Sequence, residues 1–595
     1  MHLVKILLTA LLVVGSTLSN SWAQHNTEAS ASWERHESPA IEREAAPGLH
    51  QGSPRVRMVS VSSAPHDQIE AMLERNAENP YPTQNGFSRF FDQAIEVDLG
   101  GGQLSAPSSA AGQSITVVGD DLVWAGAIRV EGSSAFRIRL DQLQLPTGSR
   151  IWVYQPDQPD MVLGPFGHEL MDESGLWLPA LNGPELVVEV AAPTASLMRG
   201  ERLGFSVGRV LEIFDLKALK ESGRFGGGWN DCDIEATCIG NQNTAWLRDA
   251  VAHLQFVVNG NGFICSGGLV VDSSVSGNIP YLLTADHCFN TQSSASSLTA
   301  YFDYFRSACV VGTVPSLGSV PQVSGSQLLA ARSETDFTFL RLNSTPSGSL
   351  IFLGWTATDP AVGDILERLH HPAGSHMRYT QLRIDDPSLF SCGGEYHYGT
   401  VIAGGWAGGS SGSPVVNQAG RIVGQMFGSC GGQNATACDF TSLVGMDGKF
   451  SRTYPFVAQW INPADYFADL VIDNINVNNP TVDYGQSLFM GALVVNIHYQ
   501  SSGSQTTLRW FRSSNSTIST SDVQIAASGI NSLPFEGAQG SSSDSIPMTV
   551  PGTWWVGACV DPTANEGPTD NNCSSGVQVT VRPQDPLIFD DRFEP

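Results

Sequence analysis

The stretch YLLTADHC, residues 281–288, is an apolar strand that leads into a histidine followed by a cysteine. A disulfide bond at Cys288 would fix the imidazole of His287, and fixed placement is what a general base requires. A lone histidine is more often a surface or structural residue, but this one follows a predicted strand in a specific pattern. We therefore predict that His287 is catalytic.

The stretch TDFTFLRL, residues 335–342, places one carboxylate at the head of an alternating strand. If Asp336 is buried against apolar neighbours, its charge requires a partner. An imidazole is a suitable partner, because a carboxylate that accepts its hydrogen bond holds the productive tautomer. An aspartate that merely caps a strand is the alternative, and the other motifs favour the catalytic interpretation.

The stretch GGSSGSP, residues 408–414, is a tight glycine-rich turn from which Ser411 can project. Such a composition usually indicates a flexible loop in a secreted protein, so the order of the motifs decides the interpretation. His287, Asp336 and Ser411 follow one another at separations of 49 and 75 residues. This is the chymotrypsin order, which differs from that of subtilisins and α/β-hydrolases. The chemistry of such a triad requires no cofactor.

Length and composition indicate several β-rich domains. The chain has 595 residues, which exceeds the about 250–300 residues that one hydrophobic core supports. Its 61 glycines and 33 prolines are typical of short strands and turns, so we predict an all-β protein. Its 31 basic and 58 acidic residues give a net charge of -27, which argues against nucleic acid as a partner.

The N-terminus has the features of a signal peptide over residues 1–23. A short basic start is followed by an apolar run over residues 6–14, and Ala23 supplies a small residue for cleavage. The apolar run is shorter than the about 20 residues that span a bilayer. We therefore predict a secreted, extracellular protein with no membrane anchor.

The cysteines and histidines indicate disulfide bonds rather than a metal site. All ten cysteines lie from Cys232 onward, and an even number in an exported chain favours disulfides. The group His370, His371, His376 and His397 could suggest a metal, but the HExxH pattern is absent. We expect structural roles for these histidines and no metal.

Composition divides the mature chain into four segments. Residues 24–64 are polar and show no sustained periodicity of apolar residues, so we expect them to be flexible. In residues 65–79 the apolar residues recur at the spacing of a helix. Alternation predicts strands over residues 122–130 and 135–143. The predicted segments are a β-rich pro-region (24–225), a central domain (226–463), a β-sandwich (469–581) and an acidic tail (582–595).

The segment from about residue 226 to 463 resembles the trypsin superfamily, and specifically its bacterial lysyl endopeptidase branch. The resemblance implies two antiparallel Greek-key barrels with the triad between them, peptide-bond hydrolysis through an acyl-enzyme, and protein or peptide substrates. The motifs that carry it are the cysteines at 232 and 238, TADHC, TDFTFL, HHP at 370–372, GSSGSP and GQM at 424–426.

The resemblance also implies site roles and disulfide pairs. The amides of Gly409 and Ser411 would form the oxyanion hole, and a long pro-segment would assist folding and mask the site. The family's pattern assigns partners to the other six cysteines of this domain, so Cys392 and Cys438 are paired by elimination. The implied bonds within the central domain are Cys232–Cys430, Cys238–Cys309, Cys265–Cys288 and Cys392–Cys438.

Two departures from animal trypsins concern activation and specificity. Ser410 replaces the aspartate that binds a new N-terminus, so we expect cleavage around Lys220 to Gly226 to release the enzyme without that insertion. Gly405 replaces the pocket carboxylate, and the lysyl endopeptidase pattern places the acid at Asp439 instead, with preference for Lys or Arg. Asp447 is a rival acid, and Phe427 stands where the family has a pocket histidine.

The flanking segments resemble other known modules. Residues 137–193 are similar to the β-rich pro-regions of the same peptidases. Residues 469–581 resemble the CARDB module, an immunoglobulin-like sandwich, which Cys559–Cys573 would staple and which could bind a cell-surface or extracellular ligand. Acidic residues near Asp561 could suggest calcium, but turn roles are commoner. A non-catalytic adhesion protein on a protease fold is the alternative function.

Overall fold

The computed structural model describes residues 30–38, 45–47, 58–78, 82–99, 113–167, 175–221, 234–273, 279–430 and 444–584. They divide into two compact units, one that ends at Thr453 and one that begins at Tyr454. We call residues 30–221 the N-terminal region, residues 234–453 the central region and residues 454–584 the C-terminal unit. The predicted signal peptide and most of the acidic tail lie outside the described residues.

The N-terminal region is built on two sheets that enclose a large apolar core. The strand of residues 121–130 is buried on both faces, because Trp124 and Ile128 pack into one apolar cluster while Val123 and Ala127 pack into another. The predicted helix and both predicted strands are confirmed. The elements are β1 Ser30–Ala31, β2 Glu34–Ser38, β3 Val59–Val61, α1 His66–Glu78, β4 Thr83–Leu99, β5 Gln113–Val118, β6 Asp121–Val130, β7 Ala135–Gln144, β8 Arg150–Gln155, β9 Gln158–Phe166, β10 Gly175–Trp177, β11 Leu181–Asn182, β12 Glu185–Pro193, α2 Thr194–Met198, β13 Leu203–Ile213 and α3 Leu216–Glu221.

The central region consists of two antiparallel barrels. Its elements are β14 Ile234–Glu235, α4 Gln242–Arg248, β15 Val251–Val258, β16 Asn261–Val270, β17 Tyr281–Ala285, α5 Gln292–Ser296, β18 Thr299–Tyr301, β19 Gln322–Ser324, β20 Ser326–Arg332, β21 Phe337–Leu342, β22 Gly348–Phe352, β23 Trp355–Thr356, β24 Ile365–His370, β25 Arg378–Ile384, β26 Tyr396–Gly404, β27 Pro414–Val416, β28 Ile422–Ser429, β29 Val444–Lys449 and α6 Phe450–Ile461, whose residues fall in both units.

Strand pairing defines the two barrels. The first follows the order β19-β18-β15-β16-β17-β21-β20. In the second, β24-β25-β26-β29-β28-β27 closes on itself because β27 pairs with β24. The predicted all-β fold with a trypsin-like pair of barrels is confirmed.

Among the described residues, the largest of the sheets that join the N-terminal region to the central region contains β4 and β16. Strand β4 pairs antiparallel with the first half of β16, from Asn261 opposite Phe87 to Ile264 opposite Thr83. The second half of β16 pairs with β17 inside the first barrel. The two regions are therefore hydrogen-bonded through a strand that carries part of the barrel.

The expectation that residues 24–64 are flexible is wrong for residues 30–38. Strand β1 pairs with β23, and β2 pairs with β22. Trp33 packs against Trp246 with ring centroids 4.6 Å apart, and Arg35 forms an ion pair of 3.3 Å with Asp249. Strand pairing of this kind is formed by backbone groups, so it requires no apolar period in the sequence.

The C-terminal unit is the predicted β-sandwich. One sheet has the order β30-β33-β36 and the other has the order β31-β39-β38-β34-β35, and Trp510 is fully buried in the core of the unit. The expected bond Cys559–Cys573 is present. Its strands are β30 Leu470–Val477, β31 Thr481–Asp483, β32 Ser487–Leu488, β33 Met490–Asn496, β34 Thr506–Ser513, β35 Val523–Ile530, β36 Ala538–Ser542, β37 Ile546–Pro547, β38 Gly552–Val560 and β39 Val577–Arg582.

The acidic and amide side chains near Asp561 make contacts within this unit. The Asp561 carboxylate binds the guanidinium of Arg509 at 2.7 Å, and Asn571 donates to Asp469 at 2.9 Å. These contacts fit the turn interpretation. No helix in the described part of the chain is long and apolar enough to cross a membrane.

Two of the implied disulfide pairs are wrong. Cys392 is bonded to Cys430, with Cα atoms 5.8 Å apart, which replaces Cys232–Cys430 and Cys392–Cys438. The segment before β26 folds back over that strand, because Phe390 stacks on Tyr398 and the Tyr398 hydroxyl donates to the carbonyl of Gly393.

This fold-back explains the observed bond. Strands β26 and β28 both pair with β29, and the amide of Cys430 donates to the carbonyl of Val444 at the start of β29. The segment before β26 therefore meets the end of β28. The bonds Cys238–Cys309 and Cys265–Cys288 are present as expected, and residues 232 and 438 lie outside the described residues.

Candidate active site

His287 follows the end of β17 and is fixed from both sides. Ala285, the last residue of β17, pairs with Phe337 of β21, and the amide of Asp286 donates to the carbonyl of Asp336 at 3.0 Å. On the other side, Cys288 is bonded to Cys265. The backbone around His287 therefore has little freedom.

The carboxylate of Asp336 binds His287 at two points. Oδ1 accepts the backbone amide of His287 at 2.9 Å, and Oδ2 lies 2.8 Å from the ring Nδ1. The Asp336 side chain is only 4% exposed, so this hydrogen bond is formed away from bulk water. An imidazole that donates from Nδ1 leaves Nε2 as the basic nitrogen.

The backbone of Asp336 is in the left-handed region, with φ of 54°. Gln425 on β28 supports it, since its side-chain amide donates to the carbonyls of Thr335 at 2.7 Å and Asp336 at 3.2 Å. Asp336 belongs to the first barrel and Gln425 to the second. The site therefore lies where the two barrels meet.

Ser411 is carried by a turn that packs directly against the first barrel. The carbonyl of Ser411 accepts the amide of Ser266 at 2.8 Å, and the amide of Gly412 donates to Met426. A Cβ atom on Gly412 would lie 2.7 Å from the backbone nitrogen of Ala285, two residues before His287. The structure thus brings the three predicted residues to one junction, and the Ser411 hydroxyl has no hydrogen-bond partner among the described residues.

The turn before Ser411 orients two backbone amides. The carbonyl of Gly408 accepts the amide of Ala373 at 2.6 Å, and the carbonyl of Ser410 accepts the amide of Ser413 at 3.2 Å. In a trans peptide the N–H points opposite to the C=O, so the amides of Gly409 and Ser411 point away from the two amides that donate to these carbonyls. Within the described part of the chain, neither amide donates to another group.

Ser410 begins a buried hydrogen-bond chain that the sequence did not reveal. Its hydroxyl lies 2.8 Å from Nδ1 of His370, whose Nε2 lies 2.8 Å from the hydroxyl of Thr380. That hydroxyl donates to the carbonyl of Gly405, so the chain is complete when His370 carries its proton on Nε2. Burial, followed by the charges of Arg368 and Arg378, lowers the pKa of His370 well below its usual value, so this histidine is neutral.

Of the two candidate acids for substrate specificity, the structure describes only one. Asp439 lies outside the described residues. Asp447 is fully buried and accepts a hydrogen bond of 2.6 Å from Arg368, whose guanidinium also lies over the ring of Trp406. The charge of Asp447 is therefore already compensated inside the barrel.

Phe427 is adjacent to the histidine. Its ring meets the His287 ring edge-on with centroids 5.6 Å apart, and it contacts the Tyr396 ring at 5.1 Å. Burial, followed by the charge of Asp336, raises the pKa of Tyr396. One side of His287 is thus covered by uncharged aromatic rings.

The remaining histidines make local contacts. His371 approaches the carbonyl of Ser375 at 3.0 Å, His376 pairs with Glu235 at 2.9 Å, and His397 lies 3.6 Å from Asp359. Among the described residues, no group of three or more potential ligands is arranged to hold a metal ion.

Sequence comparison identifies the central region. Residues 227–442 match the family model for the lysyl endopeptidase C-terminal domain. A lysyl endopeptidase from Pseudomonas aeruginosa is 27% identical over 348 residues, which is 53% of this chain and 71% of that protein. This region is a serine-type endopeptidase domain related to lysyl endopeptidase. A secreted RxLR effector protein from Plasmopara viticola is 28% identical over 232 residues, 36% of this chain and 53% of that protein.

Two solved structures are similar to parts of this chain. The active form of the Rv3671c protease from M. tuberculosis is 14% identical, covers 40% of this chain and 93% of its own, and gives a TM-score of 0.26. The CARDB domain of a Pyrococcus furiosus protein is 17% identical, covers 20% of this chain and 96% of its own, and gives a TM-score of 0.16.

We predict that Gly412→Ala damages the endopeptidase site more than a matched glycine change. Gly412 has φ of +79°, and an added Cβ would lie 2.5 Å from the carbonyl oxygen of Ser266. Gly363 has φ of +95° with no atom within 4 Å of an added Cβ, so Gly363→Ala shares the backbone strain without the contact.

The strain should cost both variants about 1–2 kcal/mol, and the contact should cost Gly412→Ala about 1–3 kcal/mol more. Urea-induced unfolding and hydrolysis of a lysyl anilide would measure the difference. Equal losses in the two variants would show that the packing of Gly412 against the first barrel is unimportant.

Proposed function

We propose that this chain is a secreted endopeptidase in which Ser411, His287 and Asp336 form the catalytic triad. The observation that carries the proposal is the pair of hydrogen bonds that the Asp336 carboxylate accepts from the backbone amide and the ring Nδ1 of His287. His287 would take the proton of Ser411 during attack on the substrate carbonyl and then give it to the leaving amine. Asp336 would keep the proton of His287 on Nδ1 and stabilise the imidazolium.

The amides of Gly409 and Ser411 would stabilise the tetrahedral oxyanion. Both point away from the carbonyls that hold the turn, and neither is used by the described residues. One such donor typically contributes about 10²–10³ to turnover. The glycines before Ser411 therefore matter through the shape of the backbone, and Gly409 has φ of +99°.

Replacement of triad residues should separate catalysis from a binding role. Ser411→Ala should reduce kcat by about 10⁶-fold and abolish labelling by a fluorophosphonate probe. Asp336→Asn should reduce kcat by about 10⁴-fold, because it favours the wrong tautomer of His287. Peptide cleavage and probe labelling of the secreted protein would test this.

If neither the unmodified chain nor Ser411→Ala is labelled and neither cleaves peptides, the non-catalytic adhesion function is favoured. If both label equally and peptide cleavage persists in the variant, another residue is the nucleophile. Circular dichroism of both proteins controls for folding.

We propose that Asp439 binds the side chain of a Lys or Arg residue before the scissile bond. Its support is its position nine residues after Cys430, as in the lysyl endopeptidases that the central region resembles. The rival Asp447 is already paired with Arg368 in the interior. A buried carboxylate with its own guanidinium partner has little charge to offer a substrate.

The two aspartates should respond differently to neutral replacement. Asp439→Asn should reduce the preference for lysyl over glutaminyl peptides by about 30-fold or more, since a desolvated charge pair contributes about 2 kcal/mol or more. Asp447→Asn should destabilise the chain by about 3–5 kcal/mol, because Arg368 loses its partner, and should leave the preference of the folded fraction unchanged. Ratios of kcat/KM and unfolding curves give the two readouts. An unchanged preference in Asp439→Asn would exclude its pocket role.

Secretion and processing belong to the same proposal. Residues 1–23 would be removed on export, and residues 24–225 would act as a pro-region that is cleaved around Lys220 to Gly226. Disulfide bonds in three parts of the central region fit an oxidising compartment. The C-terminal unit would bind an extracellular or cell-surface ligand.

N-terminal sequencing of the secreted protein should find a new start between residues 221 and 227. The Ser411→Ala chain, produced in the same way, should keep its pro-region if the enzyme processes itself. A mature start far from Cys232 would contradict the proposed boundary.

A further inference from the structure

Strand β22 has one edge toward the rest of the central region and one edge toward residues 30–38, which we call the N-terminal strap. On the first edge, the amide of Ile351 donates to the carbonyl of Asp249 at 3.1 Å. On the second edge, β22 pairs over all of its residues with β2, which is its one partner strand in the described part of the chain. The backbone groups on that edge would be unpaired without the N-terminal strap, and such an edge is a template for an extended segment.

Alternate side chains of the N-terminal strap contact the central region. The ring of Trp33 lies against that of Trp246 with centroids 4.6 Å apart, and Arg35 binds the carboxylate of Asp249 at 3.3 Å. The guanidinium of Arg35 also donates to the hydroxyl of Ser349 on β22. Residues two apart lie on one face of a strand, so these contacts form a single row. The N-terminal strap is therefore recognised by side chains as well as by backbone pairing.

Helix α4 presents two of the residues that bind the N-terminal strap. Trp246 lies near the end of α4, and Asp249 is the residue that caps it. A Cβ atom on Gly420 would overlap the ring of Trp246, so the second barrel supports this ring from another side. Burial raises the pKa of Asp249, and the charge of Arg35 acts in the opposite direction. The half-buried carboxylate thus favours a cation at this place in a ligand.

The backbone of the N-terminal strap passes directly over Gly354, between β22 and β23. A Cβ atom on Gly354 would overlap the carbonyl oxygen of Ala31 and would lie 2.7 Å from the nitrogen of Trp33. The carbonyl of Gly354 accepts the amide of Ile422 at 2.8 Å, so the second barrel holds this glycine in place. The missing side chain is what allows the two backbones to approach so closely.

We propose that the outer edge of β22 and β23, together with Trp246 and Asp249, is a peptide-binding site that works by strand addition. Its ligand is an extended peptide with an aromatic residue and, two positions later, an arginine, and the N-terminal strap is the ligand that this chain carries. After the proposed cleavage between residues 221 and 227, the site retains the severed N-terminal region on the enzyme. This retention rests on the proposed processing, whereas binding of the peptide does not.

A vacant site tests binding directly. In the full-length Ser411→Ala chain, residues 30–38 are replaced by a Gly-Ser linker of equal length, and a fluorescent peptide with the sequence of the N-terminal strap is added. Fluorescence anisotropy should show saturable binding. A peptide with Trp33→Ala should bind at least about 10-fold more weakly, because truncation of tryptophan is among the most costly changes at interfaces. A peptide with Glu34→Gln, changed at an exposed position on the opposite face, should bind within about 2-fold of the unmodified peptide.

Two glycine variants of the vacant chain test the geometry. Gly354→Ala should abolish binding of the peptide, because the added Cβ would occupy the space of the N-terminal strap backbone. Gly240→Ala is the matched control, since no atom lies within 4 Å of an added Cβ there. Equal binding to both variants would overturn the strand-addition geometry. Circular dichroism verifies folding, and if Gly354→Ala does not fold, the peptide series on the vacant chain still decides the proposal.

Cleavage at an engineered site tests retention without the chain's own activity. The recognition sequence of an unrelated protease replaces residues 222–228 in the full-length Ser411→Ala chain, and size-exclusion chromatography follows the cleaved protein. The N-terminal fragment should elute with the remainder of the chain. Trp33→Ala or Arg35→Gln should raise its dissociation rate at least about 10-fold, because attachment at two places becomes attachment through the β4–β16 pairing alone. Glu34→Gln should leave the rate unchanged.

The possible failures can be told apart. No saturable binding of the peptide up to about 1 mM would overturn the strand-addition site. Equal dissociation rates for Trp33→Ala, Arg35→Gln and Glu34→Gln would show that the N-terminal strap does not retain the fragment. Neither result bears on catalysis, since every measurement uses the Ser411→Ala chain. Conversely, an unmodified chain that is neither processed nor active would contradict the proposed function and leave the binding measurements valid.

Discussion

The carboxylate of Asp336 holds His287 by its backbone and by its ring at once, and the rest of the site is arranged around this contact. To present both oxygens, Asp336 adopts a left-handed backbone conformation that costs of the order of 1–3 kcal/mol. Such strain persists only where the surroundings over-determine it. Gln425 supplies part of that constraint from the second barrel, so the packing of one barrel on the other sets the geometry of a residue in the first.

The residues of the proposed triad could be picked out from the sequence because each lies in a local pattern. His287, Asp336 and Ser411 stand at fixed places relative to strands or tight turns, and the sequence shows these directly. The sequence did not predict which residues hold these three in place. His370 and Gln425 act on partners 40 and about 90 residues away, and only the closed barrel brings these groups into hydrogen-bond distance.

The two errors have a common physical origin. Pairing Cys392 with Cys438 assumed that the family's pattern left them over, whereas the fold-back of the chain before β26 delivers Cys392 to Cys430. Residues 30–38 were expected to be flexible because they lack an apolar period. Their backbone instead pairs with strands β22 and β23. In both cases the deciding contact joins residues that are far apart in the sequence, and the local composition does not predict such a contact.

Two of the contacts between the N-terminal region and the central region differ in physical nature. Between β4 and β16 the contact is a backbone ladder that continues the first barrel, and backbone bonds of this kind are indifferent to side-chain chemistry. Around Leu216 the contact is apolar burial beside a turn that fixes Gly408. A ladder suits a scaffold for folding, since it templates the strand that leads to Cys265. The apolar contact involves several side chains of the N-terminal region, including Met72 and Leu216, which are both buried in it. Both contacts end on β16, since Ile264 pairs with Thr83 in the ladder and also belongs to the apolar cluster. The strand that leads to Cys265 is therefore contacted by the N-terminal region through its backbone and through its side chains.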